Sequence, residues 1–463
     1  MSSVQVAFRI FAAIILCVTA ASACFAQAVS STILSNGPTA NRINIVVLSE
    51  GYKTNQLGQF LVNATNAVNN LLSEPPYQEY RSYFNAFAIS VASVDSGSDH
   101  PSQGVFKNTY FNSSYDSYGF PEIITIPPND RDGNYNNGQG KVINLLTNLM
   151  PQYDLVILLV NDLEYGGSGG SNLISSLNVD SAEIVRHESG HAFGGLADEY
   201  GDPFPGYTPT ERPNATAETN RALIKWNAWI APSTPVPTPE DPINADVVGL
   251  FEGAQYQFNG WYRPKLDCKM RSLGTPFCEV CSEALVESIY KAIRPIDTFS
   301  PLATNLTISQ STQFSVALLQ PMTHSLSVQW FTNGVAVSGA TNTTFQLSPE
   351  ALGNGANTVR AVVNDPTALV RNDPANRLRA TNTWSVSANL NALTLKDPLF
   401  LSGGLFRLTV TGTAPQGFVI QASTNLVNWV PLSTNSLSGG RFDYTNSGQN
   451  NVQKRFYRAY SLP

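Results

Sequence analysis

The rhythm of apolar and polar positions changes once along this chain. Between Ile33 and Arg294, apolar runs such as Ile45-Val46-Val47-Leu48 and Leu155 to Val160 alternate with segments of helical period. Those segments are Leu57 to Leu72, Val142 to Met150, Ser181 to Gly195 and Ser282 to Ala292. Strand-type runs interleaved with amphipathic helices predict a mixed α/β unit. Beyond Arg294-Pro295 the helical period disappears, and short alternating runs sit between Thr, Ser, Asn and Gly. Leu326 to Phe331 alternates, with Trp330 on the inward phase, and is followed by an Asn333-Gly334 turn. Phe406 to Val410, Gly417 to Ser423 and Phe456 to Ala459 repeat the habit, so two small all-β sandwich units are expected, at 296–392 and 393–463.

Within the α/β part, His187-Glu188-Ser189-Gly190-His191 lies in a helical segment. Residues four apart on a helix lie about 40° apart around the axis and roughly 6 Å apart along it, so both imidazoles can face one metal ion. Glu188, one residue round, stands beside that ion rather than on it, where a general base belongs. Zinc lowers the pKa of a water it holds from about 15.7 to about 7 and polarises a carbonyl, which covers both halves of peptide hydrolysis. Asp180 as N-cap and Glu183 three residues on suggest a capping box, and Gly194-Gly195 a stop.

A catalytic zinc needs a third protein ligand. A straight helix would carry Asp198 roughly 16 Å along the axis from His187; broken at the glycines, the chain can swing it back. His100 and His324 are the other histidines. The order of preference for the third ligand is Asp198, then Glu199, then His100.

The segment His187 to His191 followed by Leu196-Ala197-Asp198-Glu199-Tyr200 resembles the active-site segment of the bacterial IgA-peptidase family of zinc metallopeptidases. Ile45 to Tyr52, Tyr83 to Phe87, Tyr153 to Asp162, Gly249 to Ala254 and Asp267 to Cys281 extend the resemblance over roughly residues 35 to 295. It implies a metzincin-like zinc-peptidase domain over 27–295, with Met270 as a structural methionine turn beneath the ligand histidines. One departure is visible. The metzincin spacing from His191 through Gly194 reaches Ala197, whereas Asp198 is reached from Gly195, so the helix end carries one extra residue. Tyr262 and Tyr200 are candidates for stabilising an oxyanion. The β units are similar to bacterial immunoglobulin-like modules, which implies spacers or attachment to a surface or polysaccharide.

Arg9, the apolar Ile10 to Ala21 and Cys24-Phe25-Ala26 read as a signal peptide over 1–26, giving a secreted or cell-surface protein. Lipoprotein processing at Cys24 is the lesser alternative. Export leaves Cys268, Cys278 and Cys281, and one disulfide from Cys268 to Cys278 or Cys281 is expected, with an odd thiol left over. A second zinc on these thiols would need a fourth ligand. Gly166 to Gly170 lacks the lysine context of a phosphate loop. Asn129 to Asn134 has its glycine too early for a calcium loop. A net charge of -7 without basic blocks removes the electrostatic case for nucleic acid.

Two functions fit. The first is a secreted zinc endopeptidase acting on protein or peptide, with His187, His191 and Asp198 holding Zn2+ and Glu188 as base. The alternative is a cell-surface adhesin or glycan-binding protein whose zinc domain is structural or degenerate. The intact Glu188 favours the enzyme, because a structural site has no use for a base.

Overall fold

The computed structural model describes residues 28–128, 137–352, 355–388, 393–412, 416–446 and 454–462. The leader read at 1–26, with Cys24, and the Asn129 to Asn134 segment lie outside the described residues.

The N-terminal part is built on one six-stranded sheet. Its strands are β1 (Val29–Leu34), β2 (Ile43–Glu50), β3 (Phe84–Ser90), β4 (Leu155–Val160), β5 (Gly167–Ser168) and β6 (Leu173–Ser175), in the order β1-β3-β2-β4-β6-β5. The inner strands β3, β2, β4 and β6 are parallel, and the edges β1 and β5 pair antiparallel. The helices are α1 (Leu57–Leu71), α2 (Gly138–Leu149), α3 (Ser181–Ala192) and α4 (Glu279–Ala292).

Alternate residues of a strand face opposite sides. Ile43, Ile45 and Val47 of β2 join the core formed with Phe60, Ala64 and Val68 of α1, Val185 of α3 and Leu285 of α4. Val46 and Leu48 face Val142, Leu145 and Leu146 of α2. Both faces are therefore covered, which is why β4 and the middle of β2, Ile45 to Leu48, read as unbroken apolar runs. α1 begins and ends close to the sequence reading, whereas α3 stops at Ala192 rather than Gly195. The edge strand β1 was not expected, since its Val-Ser-Ser-Thr opening is mostly exposed.

A two-stranded hairpin, β7 (Phe251–Ala254) and β8 (Gln257–Arg263), follows α3. From β9 (Ile296–Ser300) to Ala388, strands form one five-stranded and one three-stranded sheet, and from Thr394 to Ser461 two three-stranded sheets. Trp330 is fully buried and stacks on Trp384, with ring centroids 5.8 Å apart.

Candidate metal centre

α3 carries the histidines, but its start is built differently from the expected capping box. The Asp180 side chain makes no capping hydrogen bond. Glu183 instead accepts from Lys269 Nζ and, at 2.8 Å, from the Gly274 amide. The helix start is thereby clamped to the segment that bears Met270.

The end of α3 widens before it turns. The Ser189 carbonyl accepts from both Phe193 and Gly194, Gly195 donates to His191 O, and Leu196 reaches back to Gly190 O at 3.0 Å. Gly195 sits at φ +63°, the left-handed conformation that favours glycine. The last turn thus absorbs the extra residue noted in the sequence, and the chain doubles back with Asp198 beside the histidines.

There the geometry is tight. His187 Nε2 and His191 Nε2 are 3.2 Å apart, and Asp198 Oδ1 is 3.1 Å from the first and 3.2 Å from the second. Four zinc ligands at about 2.0–2.1 Å in a tetrahedron stand about 3.3–3.4 Å from one another, so this triangle is close to one tetrahedral face. The other ring nitrogens are committed: His187 Nδ1 lies 2.9 Å from Lys269 O, and His191 Nδ1 2.9 Å from Leu196 O. Each Nδ1 therefore donates to a carbonyl, which leaves both Nε2 lone pairs aimed at the same point as a carboxylate oxygen.

Such a point demands positive charge. Burial by itself would lower the two imidazoles, yet the Asp198 carboxylate prevails, raising His187 and carrying His191 to about 9. For Asp198, burial acts upward and is overcome by the His191 charge and the histidine hydrogen bonds, which hold its carboxyl far below the ordinary range. A divalent cation satisfies the same field with all three donors unprotonated. The donor set of two imidazoles and one carboxylate, with no fourth protein donor in the group, fits a catalytic zinc.

Asp198 is held from behind. Its Oδ2 accepts from the Tyr256 hydroxyl, and its carbonyl accepts from Gln255 N at 3.0 Å. Gln255 and Tyr256 form the two-residue turn between β7 and β8, both with positive φ, at +52° and +61°. Positive φ at both positions is what a type I′ hairpin turn requires, and holding two residues with side chains in it costs on the order of 1 kcal/mol each. The sequence offered no sign of Tyr256, which lies 58 residues beyond Asp198.

The triangle opens into a cleft of about 740 Å3 whose walls include Glu188, Gly169, Tyr165, Tyr200, Arg212 and Arg271. Glu188 Oε2 is buried and has no hydrogen-bond partner among the described residues. Burial raises its carboxyl above the usual range, against the pull of the two histidines. Gly166 to Gly170 contains β5, the sheet edge beside α3, and Gly169 lies so close that a methyl there would sit 2.3 Å from Glu188 Oε2. Met270 is fully buried and packs under Gly190, which lies between His187 and His191 in sequence.

Other candidates lie elsewhere. His100 stacks on Tyr115 and contacts Asp162 at 3.0 Å, and His324 bonds Asp365 at 2.6 Å. Tyr200 lines the cleft and Tyr262 does not. Cys268, Cys278 and Cys281, where one disulfide was expected, are buried and unbridged in this structure. Glu199 turns away from the histidines towards these thiols, with Cys281 Sγ 3.2 Å from its Oε1. The thiols therefore do have a fourth donor beside them, contrary to the reading from cysteine count alone.

Against known proteins, the model of the IgA Peptidase M64 family matches residues 32–244 and 240–289, more than half of the chain. The chain belongs to the IgA peptidase M64 family. The family is described as one of peptidases. No curated protein matches it. Among solved structures, it is similar to Bacteroides uniformis beta-glucuronidase 3 in its apo form, at 12% identity over 44% of this chain and 28% of that one, with a TM-score of 0.14. Parabacteroides merdae beta-glucuronidase with glycerol in its active site matches at 9% identity over 69% of this chain and 38% of that one, TM-score 0.13. A cytokine receptor complex matches at 14% identity over 36% of this chain and 89% of that one, TM-score 0.14. The chain spans 28% of the first of these, and at such scores none bears on architecture or activity.

Proposed function

We propose that this M64 peptidase is a zinc-dependent endopeptidase, secreted or displayed at the cell surface, in which His187, His191 and Asp198 hold Zn2+ and Glu188 is the general base. The observation that carries it is the triangle of His187 Nε2, His191 Nε2 and Asp198 Oδ1, with edges of 3.1–3.2 Å and its lone pairs converging. A bound Zn2+ supplies Lewis acidity towards the scissile carbonyl and acidifies the attacking water. Glu188 takes the proton of that water and delivers it to the leaving amine. Its unpartnered Oε2, kept in a buried position, is suited to both transfers. The backbone of Gly167 in β5 is already bonded to Glu122 O and Ile124 N, so the opening for a substrate lies beyond it, where Gly169 leaves the wall beside Glu188 without a side chain.

The reading divides the chain into a leader at 1–26, a peptidase unit at 27–295 and β units at 296–392 and 393–463. Supporting the division, the strands from Ile296 to Ala388 and those from Leu393 to Ala459 each enclose an apolar core of their own. Attachment to a surface or polysaccharide through the β units is a separate proposal, to be tested by pull-down on cell-wall and polysaccharide preparations.

The test of the mechanism is Glu188→Ala. Cleavage of a peptide library should fall roughly 100- to 10,000-fold while the metal content stays at the wild-type value. Wild-type cleavage should vanish with chelator and return with zinc. Unchanged cleavage by the variant would refute the role of Glu188, and chelator-resistant cleavage would refute the metal.

A further inference from the structure

The three thiols and Glu199 are packed as a ligand set. One donor atom from each of Glu199, Cys268, Cys278 and Cys281 lies within 4.8 Å of every other, and all four residues are buried. Cys268 Sγ and Cys281 Sγ stand 3.7 Å apart. A disulfide holds its sulfurs at about 2.05 Å. Two thiolates on one tetrahedral zinc, each at about 2.3 Å, stand about 3.8 Å apart. The contact of 3.2 Å between Cys281 Sγ and Glu199 Oε1 is near the roughly 3.5 Å that a sulfur and an oxygen span on the same ion.

Two further features point to a cation. Glu199 is fully buried, and although its Oε1 accepts from Asn214 at 2.8 Å, its Oε2 has no hydrogen-bond partner among the described residues. A buried carboxylate with an unused oxygen is costly unless something positive meets it. The nearby Arg263 guanidinium is engaged by Glu240 and the carbonyls of Glu252 and Gly253. Around the thiols, the Cys278 amide donates to Cys268 Sγ at 3.2 Å, and Cys281 lies in the first turn of α4, on the positive end of the helix dipole.

We propose that Cys268, Cys278, Cys281 and Glu199 bind a second zinc-class divalent ion as a closed tetrahedral S3O site. Binding releases the thiol protons to solvent and leaves no open position, so the ion is structural. It would tie three pieces together: the backbone just after Asp198, the segment carrying Met270 and the start of α4. Glu199 N also donates to Met270 O at 2.8 Å, so the same link reaches the floor under the histidines. The odd number of cysteines in the exported part, unexplained by a disulfide, follows at once.

The experiment is metal analysis of the full chain with zinc as the only added metal, alongside the double variant His187→Ala/His191→Ala. Two zinc ions per wild-type chain and one in the double variant are expected. X-ray absorption at the zinc edge of that variant should give three sulfur neighbours at about 2.3 Å and one lighter neighbour. Alkylation mapping after denaturation in chelator should find Cys268, Cys278 and Cys281 all reduced. Glu199→Gln, which keeps the shape, should retain the three sulfurs but lose zinc to chelator at least tenfold faster. A metal-free double variant, a zinc shell without sulfur, or a disulfide between any two of these cysteines would overturn the proposal. A wild-type chain holding one zinc only, on sulfur, would leave this site standing and sink the catalytic one.

Discussion

At the scale of single residues, Gly169 shows how little room Glu188, the proposed base, has. The φ of Gly169 is not positive, so alanine meets no left-handed backbone penalty there. The added methyl would nevertheless sit 2.3 Å from Glu188 Oε2 and 3.4 Å from the His191 ring. Glu188, the flexible partner, must swing away. Gly169→Ala is therefore expected to lower kcat on the order of 100-fold, the scale of an ångström-level misplacement, with metal content and melting temperature near wild type. A variant as active as wild type would show that Glu188 works from another rotamer. The residue-level chemistry was only partly legible in sequence. The His187/His191 spacing is local and needs only helix geometry to read. Tyr256 behind Asp198 and the Lys269 clamp on Glu183 come from 58 and 86 residues away, and no periodicity announces them. Glu199 was read as a reserve ligand for the histidine site because residue type alone cannot say which way two adjacent carboxylates turn.

At the scale of elements, the helix reversal after α3 decides where Asp198 goes. Gly195 has nothing within 4 Å of the position its Cβ would take, so only the backbone resists substitution. Gly195→Ala should destabilise the fold by about 1–2 kcal/mol in denaturant unfolding, and Gly195→Asn by less, because asparagine tolerates the left-handed region. Equal stability of all three proteins would mean that this conformation is not held in solution. Gly194 is constrained differently: a methyl there meets Gly190 O and Leu285 Cδ2, both at 2.8 Å. The glycine pair was readable as a stop. The widened last turn was not, because the residues that pack against it, Met270 at Gly190 and Leu285 at Gly194, come from segments much later in the chain. The strong elements were the legible ones. α1 buries Phe60, Ala64, Val68 and Leu71 at helical spacing, and β4 and the Ile45 to Leu48 stretch of β2 are solid apolar runs. The edges β1 and β5 escaped because an edge strand needs neither alternation nor length, β5 being only two residues long.

At the scale of the whole molecule, the cleft takes its walls from residues between Phe120 and Leu273, and the β units stand outside it. The first of them is joined to the α/β part through two carboxylates, Asp365, which is buried, and Asp297, which is half-buried. Asp365 accepts from the Tyr80 and Tyr290 hydroxyls at 2.8 and 2.6 Å. Asp297 of β9 takes a two-pronged bond from Arg42, Nη1 to Oδ1 at 2.9 Å and Nη2 to Oδ2 at 3.0 Å, and a third from Asn41 at 2.9 Å. Arg42 sits immediately before β2, so this pair ties the first strand of the β-rich part to the central sheet. The Arg42 hydrogen bonds hold the Asp297 carboxyl below its ordinary value of 3.8, against the smaller upward push of burial. A carboxyl depressed in the folded state stabilises above its unfolded pKa, about 3.9, and loses that stabilisation as pH falls through the folded value. Asp297→Asn should therefore lower stability by about 2 kcal/mol between pH 5 and 7, the scale of hydrogen bonds to a charged group. Below about pH 4 the gap should narrow, because the wild-type carboxyl then also takes up a proton. Parallel denaturant titrations of both proteins from pH 3 to 7 read this directly. A gap that stays constant across the range would mean that the charge of Asp297 contributes nothing and that only its shape matters at the junction.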